Sequence, residues 1–277
     1  LHRVQRKTSR TRGRAAGAQR AAEANGTQPV AGTNGAQSAN RAQSATDTQR
    51  AAGANGSSQV GPAASAEQME RDLAKLVATV QNRHLRQLLS RAFDADSEVW
   101  ERFREAPAAK RYHQAYRHGL LEHTLTVAQA VGRIATTFPG IDRDLAVTGA
   151  LLHDIGKLDS YAERDGEIEM TDEGRMCGEI SLGYYRVRRL IEQLEDFPTE
   201  LERALVHIIL SHHGTLEHGS PVVPCTREAT LVHMIDNLGG RLGSFDRLER
   251  ELPAGARWSA FDKGIGAGAY FAAPRAA

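Results

Sequence analysis

His123, His153, Asp154, Glu179, His212, His213 and Asp236 are side chains able to bind a divalent cation, and they stand in segments that otherwise read as apolar helix. The sharpest case is "LLHDIGKL", residues 151 to 158, where Leu151, Leu152 and Ile155 would face a core with His153 and Asp154 beside it. An unpaired polar group costs about 2–7 kcal/mol to bury, so something must compensate. Taken singly, a histidine on an apolar face is most often a satisfied core residue, and an Asp near a helix end is most often a cap. The set is different. Imidazole nitrogens and carboxylate oxygens brought from several helices are tolerated chiefly when a cation holds them. Consecutive helical side chains diverge by about 100°, so in the pair His153-Asp154 the acid can lean between two ions while its neighbour binds one. His212-His213, just before Gly214, has similar freedom. Mixed nitrogen and oxygen donors disfavour a structural Cys-type zinc site and leave Mn, Fe, Co, Ni or Mg as candidates.

The elements that must carry these residues are helices. Leu73, Leu76, Val77, Val80, Leu85, Leu88, Leu89 and Phe93 keep three-and-four spacing from about Glu67 onward. Asp94 to Ser97 breaks that pattern, and Ser97 can cap a short helix running up to Pro107. Leu120 to Phe138 reads as a helix stopped by Pro139-Gly140, and Asp142 or Asp144 opens the next, which ends at a break at Gly156. "SYAERDGEIEM" has two alternating arms around Asp165-Gly166, the one convincing hairpin signal. Thr171 or Asp172 starts a helix to about Leu194 with Glu179 on its face, Thr199 caps another that ends near "SHHG", and Thr226 caps a long one to about Leu248. The expected fold is therefore mostly all-α, a helical bundle with one small β-hairpin over residues 66–252. Beyond Pro253 the Gly- and Ala-rich stretch "GIGAGAYFAAPRAA" shows no periodicity and reads as a flexible tail over residues 253–277.

Ahead of the helices the composition changes. Residues 1–65 hold two acids, Glu23 and Asp47, against nine Lys and Arg, and "RAAGA" occurs at 14–18 and again at 50–54. A segment so poor in large apolar side chains cannot bury enough surface to offset the entropy of ordering it, so a disordered basic head or linker is expected. Its surplus of about +7 leaves about −6 on the rest of a chain of net charge +1. The head is Arg-rich like an organelle transit peptide but lacks an amphipathic apolar face. Two cysteines, Cys177 and Cys225, make no disulfide framework, and no run approaches the ~18 apolar residues of a membrane span. A cytoplasmic protein without membrane attachment is expected. Because the chain starts with Leu rather than Met, sequence upstream of Leu1 is expected to be missing, or the start codon to be unusual.

At this point the residues resemble a known family. His123, then "HD" at 153–154, then a distant Asp236 resembles the HD-domain metal-dependent phosphohydrolases. "APAAKRYHQAYRHGLLEHTLTVA", "LLHDIGKLDSY", "TDEGRMCGEISLG" and "LSHHGTLEHGSPVVPCTREATLVHMIDNL" are similar, in that order, to one branch, the YhaM-type 3′-5′ exoribonucleases. The likeness spans roughly residues 67 to 250 and implies an HD-domain helical bundle that hydrolyses phosphodiesters with divalent ions, two of them, Mn foremost. It implies that His123, His153, Asp154 and Asp236 hold one ion, with Asp154 shared by both. The second ion falls to the pair His212-His213 and to a His in the family's "GHI". Here that block reads "GEI" and puts Glu179 in its place, a change toward harder ions. The family's N-terminal OB-fold, a nucleic-acid-binding barrel, is not expected in residues 1–65, whose sequence lacks the alternating pattern its strands would require.

The remaining polar residues are read from position and composition. Lys157, one turn past His153, would meet a non-bridging phosphate oxygen, although by itself it is an ordinary lysine near a helix C-terminus. Lys110, Arg111, Tyr112, His113 and Arg117 mix charge with rings and suit a phosphate backbone with stacked bases, or equally a solvated face. Three readings stay open: an exonuclease on single-stranded RNA or DNA, a phosphohydrolase of small nucleotides, and a non-catalytic nucleotide-binding module. The HD-GYP branch is disfavoured because "GTLEHGSPVVP" after His213 lacks a Gly-Tyr-Pro block. Nothing in the sequence fixes the oligomeric state.

Overall fold

The structure is a computed structural model that describes residues 64–110 and 114–272. The expected disordered head, up to residue 63, and the candidate residues Arg111, Tyr112 and His113 lie outside the described residues. The body is helical, as the hydrophobic spacing predicts. Helices α1 (Ala66–Ala78), α2 (Arg83–Ala92) and α3 (Glu98–Glu105) come first, followed by α4 (Gly119–Ile134) and α5 (Arg143–Leu152). The anticipated caps are present where a short polar side chain precedes a helix. Ser97 accepts from Trp100 N, Asp142 from Leu145 N and Thr226 from Ala229 N. Thr199 differs, because Pro198 occupies the cap position and Thr199 is the first helical residue.

Helix α5 is apolar nearly all round, and all residues from Leu145 to Leu152 are buried. Such a helix belongs at the centre of a bundle. Here α2, α4, α9 (Thr199–Ser211) and α10 (Arg227–Arg250) pack around it. Gly149 lets Ile208 of α9 approach so closely that an added Cβ would lie 2.6 Å from Cδ1 of that isoleucine. The chain leaves this central helix through His153 and Asp154, so the dipeptide emerges in the middle of the molecule, with His153 1% and Asp154 3% exposed.

A short helix, α6 (Lys157–Ser160), follows and leads into a hairpin of β1 (Tyr161–Arg164) and β2 (Glu167–Met170). Its register is Tyr161↔Met170 through Arg164↔Glu167, with Asp165 and Gly166 turning at positive φ as their residue types favour. The single helix expected from Asp172 to Leu194 is two helices, α7 (Asp172–Cys177) and α8 (Glu179–Ile191). Gly178 separates them at φ 75° and ψ 147°, a conformation that only glycine adopts without strain. The break moves Glu179 from the middle of a helix face to the first residue of α8.

A second departure lies in the C-terminal segment. Residues 258–270 form a further antiparallel hairpin, β3 (Trp258–Asp262) with β4 (Ala267–Tyr270), where an aperiodic tail was expected. Its Gly and Ala residues give no alternating apolar signal, and its stability comes from contacts remote in sequence. Asp262 pairs with Arg247 of α10 at 2.5 Å and accepts from Gly264 N and Ile265 N, while Phe271 meets Phe245 edge-on.

The turn that carries His153 and Asp154 is fastened to its neighbours by Asp159. That carboxylate accepts from Arg186 of α8 at 2.6 Å and from Arg102 of α3 at 3.1 Å, and Arg102 also donates to the Leu158 carbonyl. Burial opposes ionisation of Asp159, but the two guanidinium groups outweigh it and lower its pKa. A depressed carboxylate pKa stabilises the fold above the unfolded-state value and loses that contribution as the pH falls through the folded one. Asp159→Asn is therefore expected to cost about 1–2 kcal/mol at pH 7. In urea titrations the difference from the wild type should shrink below pH 4.

Candidate metal centre

Five helices or helix ends converge at one point. His123 lies near the start of α4. His153 and His212 cap the C-termini of α5 and α9, Glu179 opens α8, and Asp236 comes from the middle of α10. The last carbonyls of a helix lack intrahelical partners, and both capping histidines use one. His153 Nδ1 donates to Ala150 O and His212 Nδ1 to Ile209 O, each at 2.7 Å. The other two imidazoles follow the same rule, with His213 Nδ1 on His218 O at 2.9 Å and His123 Nδ1 on the Gln114 side-chain oxygen at 3.1 Å.

A carbonyl oxygen can only accept, so each Nδ1 carries a hydrogen and each Nε2 of the neutral ring presents a lone pair. All four Nε2 atoms turn toward carboxylates. His123 Nε2 is 3.1 Å from Asp154 Oδ2, 3.2 Å from Asp236 Oδ1 and 3.2 Å from His153 Nε2. His153 Nε2 lies 3.3 Å from Asp154 Oδ2, and His213 Nε2 is 2.9 Å from Glu179 Oε1. His212 Nε2 is buried with no hydrogen-bond partner, its nearest carboxylate being Asp154 Oδ1 at 3.6 Å.

The donor atoms fall into two groups, each within 4.8 Å: His123, His153 and Asp236, and then Asp154, Glu179, His212 and His213. Asp154 faces both, with Oδ2 toward the first group and Oδ1 toward the second. Facing lone pairs in a low-dielectric interior repel unless protons or a cation lie between them, and an orphaned imidazole nitrogen such as His212 Nε2 is costly there. A divalent cation in each group removes both penalties. The residues present therefore fit metal ions, and the negative ends of the α5 and α9 dipoles favour them further.

Electrostatics agree with this crowding. Burial works against ionising Asp154 and Asp236, yet the cationic Lys157 beside Asp154 and the histidines around both hold them well below the usual carboxylate range. Burial likewise opposes protonation of His153, but Asp154 and Asp236 outweigh it and raise it to about 10. His212, deprived of water and with weaker compensation, is lowered. Lys157 Nζ donates to Asp154 Oδ2 at 2.7 Å, and its side chain is mostly covered, 14% exposed, where it lines the adjoining cleft.

The cluster opens onto a cleft of about 410 Å³ with His123, Lys157, His213 and Asp236 in its wall. Of the residues expected to grip substrate, Lys110 is half-buried and follows Ala108 and Ala109, which line the cleft. Arg117 is exposed but turned to Glu105. Four contributors were not anticipated. Gln114 orients His123, and Asn237, Arg241 and Lys263 line the cleft. Asn237 adjoins Asp236 and could have been suspected from that. Gln114 and Lys263 carry no sequence signal, because the first acts through a loop and the second through the unexpected hairpin.

Residues 120–240 match the model of the HD domain family. The chain is similar to proteins named 3′-5′ exoribonuclease YhaM. It is 38% identical over 154 residues to that of Bacillus subtilis (strain 168), which covers 54% of this chain and 48% of the relative. The shares are the same at 37% identity for that of Bacillus licheniformis, while for Shouchella clausii, also at 37%, 54% of this chain covers 47% of the relative. The chain thus spans about half the length of these relatives. No solved structure matches.

Proposed function

We propose that this chain, whose residues 120–240 match the HD domain family model, is a metal-dependent phosphodiesterase that trims single-stranded RNA from the 3′ end. The observation that carries the proposal is the set of four imidazoles whose Nδ1 atoms are all tied to oxygens. Their Nε2 atoms are thereby aimed at Asp154, Glu179 and Asp236. RNA as the substrate rests on the relatives' printed activity, and they extend over about twice the length that this chain matches.

In this reading His123, His153, Asp154 and Asp236 hold one ion, and Asp154, Glu179, His212 and His213 hold the other. When bound, the ions would supply Lewis acidity toward the phosphate and lower the pKa of water. The side chains do the rest. Asp154 spans the two groups, Lys157 offsets charge at the phosphate from the cleft wall, and the Nδ1 hydrogen bonds keep each ring in the ligating tautomer. Manganese suits the mixed nitrogen and oxygen donors, and Glu179 adds a hard oxygen to the second group. The setting we propose is the reducing cytoplasm. Cys177 and Cys225 are both exposed and unpaired, and no helix of the described residues is long and apolar enough to cross a membrane.

The test is incubation of purified protein and Mn²⁺ with 5′-labelled single-stranded RNA, and separately with mononucleotides and cyclic dinucleotides. A ladder shortening from the 3′ end is the expected result. Turnover of small nucleotides alone would replace the substrate class, and inertness toward every substrate in protein shown to hold metal would overturn the enzymatic reading. Exchange of Glu179 for His should keep the ladder and lower the ratio of activity with Mn²⁺ to activity with softer Co²⁺.

A further inference from the structure

Beyond the metal-ligand cluster the lining of the cleft includes residues of α10 and of the β3–β4 turn that do not belong to the expected substrate grip. Arg241 stands on α10, a little more than one turn past Asp236, and Lys263 stands in the turn that follows Asp262. Both side chains are exposed, both line the same 410 Å³ cleft as His123 and Asp236, and neither makes an ion pair among the described residues. Most other cations near the site are already engaged: Lys157 by Asp154, Arg117 by Glu105 and Arg247 by Asp262.

The turn is built to hold Lys263 where it is. Asp262 accepts from Gly264 N at 2.9 Å and Ile265 N at 3.3 Å while its other oxygen pairs with Arg247. Gly264 packs against Ser244 of α10 so tightly that a Cβ there would lie 2.8 Å from the serine oxygen. Two positive charges without an ion pair among the described residues, on a fixed turn and a helix that line the same cleft as a cluster suited to two ions, call for an anion that reaches both. A nucleic-acid strand supplies one, since its phosphates recur along the backbone beyond the one being cleaved.

We propose that Arg241 and Lys263 form a phosphate subsite that receives the backbone of a single-stranded nucleic acid upstream of the scissile bond, so that the C-terminal hairpin serves as one wall of the substrate channel. The substrate class rests on the nuclease reading above, whereas the subsite itself is tested by binding alone. Beside it the hairpin leaves Trp258 and Phe261 64% and 70% exposed, rings of the kind on which bases stack.

The experiment is fluorescence anisotropy of a short 5′-fluorescein oligouridylate with the full chain in EDTA, across a series of KCl concentrations. The wild type should bind with a steep dependence on salt. In the double variant Arg241→Gln with Lys263→Gln, binding should weaken and the slope of log affinity against log salt should fall by about 1.4, at about 0.7 per phosphate contact for single strands. Arg83→Gln with Arg86→Gln removes the same charge from exposed positions on α2 and should leave the slope near the wild-type value. Equal loss in both double variants, an unchanged slope in the first, or no binding by the wild type would each overturn the subsite. Binding that depends on Arg241 and Lys263 in a protein that never trims RNA with Mn²⁺ would keep the subsite and overturn the nuclease reading.

Discussion

Asp154→Asn is expected to abolish stable metal loading and to lower hydrolysis at least ~10³-fold, since charge stabilisation by bound metal is worth several kcal/mol and each 1.4 kcal/mol is about tenfold. Asparagine has the shape of aspartate but no charge, and it offers one acceptor oxygen where Asp154 offers two. Asp154 Oδ2 is within 3.3 Å of both His123 Nε2 and His153 Nε2, and Oδ1 is its nearest atom to the unpartnered His212 Nε2. Its removal therefore weakens both groups at once. It also strips Lys157 of its partner at 2.7 Å. A fully buried charge left alone would cost about 3–5 kcal/mol, but Lys157 lines an open cleft, so the loss should be smaller. Adding Lys157→Met should recover stability without recovering metal. Circular dichroism should show an unchanged helical signal in both variants, which separates loss of chemistry from loss of fold.

The second large effect is expected at Gly156, which lies between the His153-Asp154 pair and Lys157. A Cβ at this position would sit 2.0 Å from Glu179 O and 2.4 Å from Gly183 N, so the turn packs directly on the backbone of the first turns of α8. Backbone cannot rotate out of the way as a side-chain tip can. Gly156→Ala should cost about 3 kcal/mol or more, the upper end for overpacking. At roughly 2–4 °C per kcal/mol for a domain of this size, the melting temperature should fall by about 10 °C. Because the displaced element begins with Glu179, the second metal group should lose occupancy before the first. Gly239→Ala is the matched control. It lies in α10 with nothing within 4 Å of an added Cβ, and alanine there should stabilise by up to ~1 kcal/mol.

Much of this architecture is legible in the residues because local and tertiary preferences coincide. Ser97, Asp142 and Thr226 are short polar side chains in front of apolar periodicity, and each caps the helix it precedes. The run from Leu145 to Leu152 is apolar on every side, which only a central position explains, and that position puts His153 and Asp154 deep inside. That the seven side chains would meet follows from cost, since such groups in apolar surroundings demand one another. The break at Gly178 is hidden because the apolar spacing continues across it, and a single glycine is tolerated in many helices. The β3–β4 hairpin is hidden for the opposite reason: its strands are weak in themselves and are held by Arg247 and Phe245 of α10. Arg241 and Lys263 become neighbours of the cluster only through that packing.

The two-ion centre can be checked in a crystal structure of manganese-loaded protein with anomalous diffraction measured at the manganese absorption edge. Two peaks are expected, one touching His123, His153, Asp154 and Asp236 and the other touching Asp154, Glu179, His212 and His213. Peaks elsewhere on the surface, or none in crystals soaked with excess manganese, would contradict that centre.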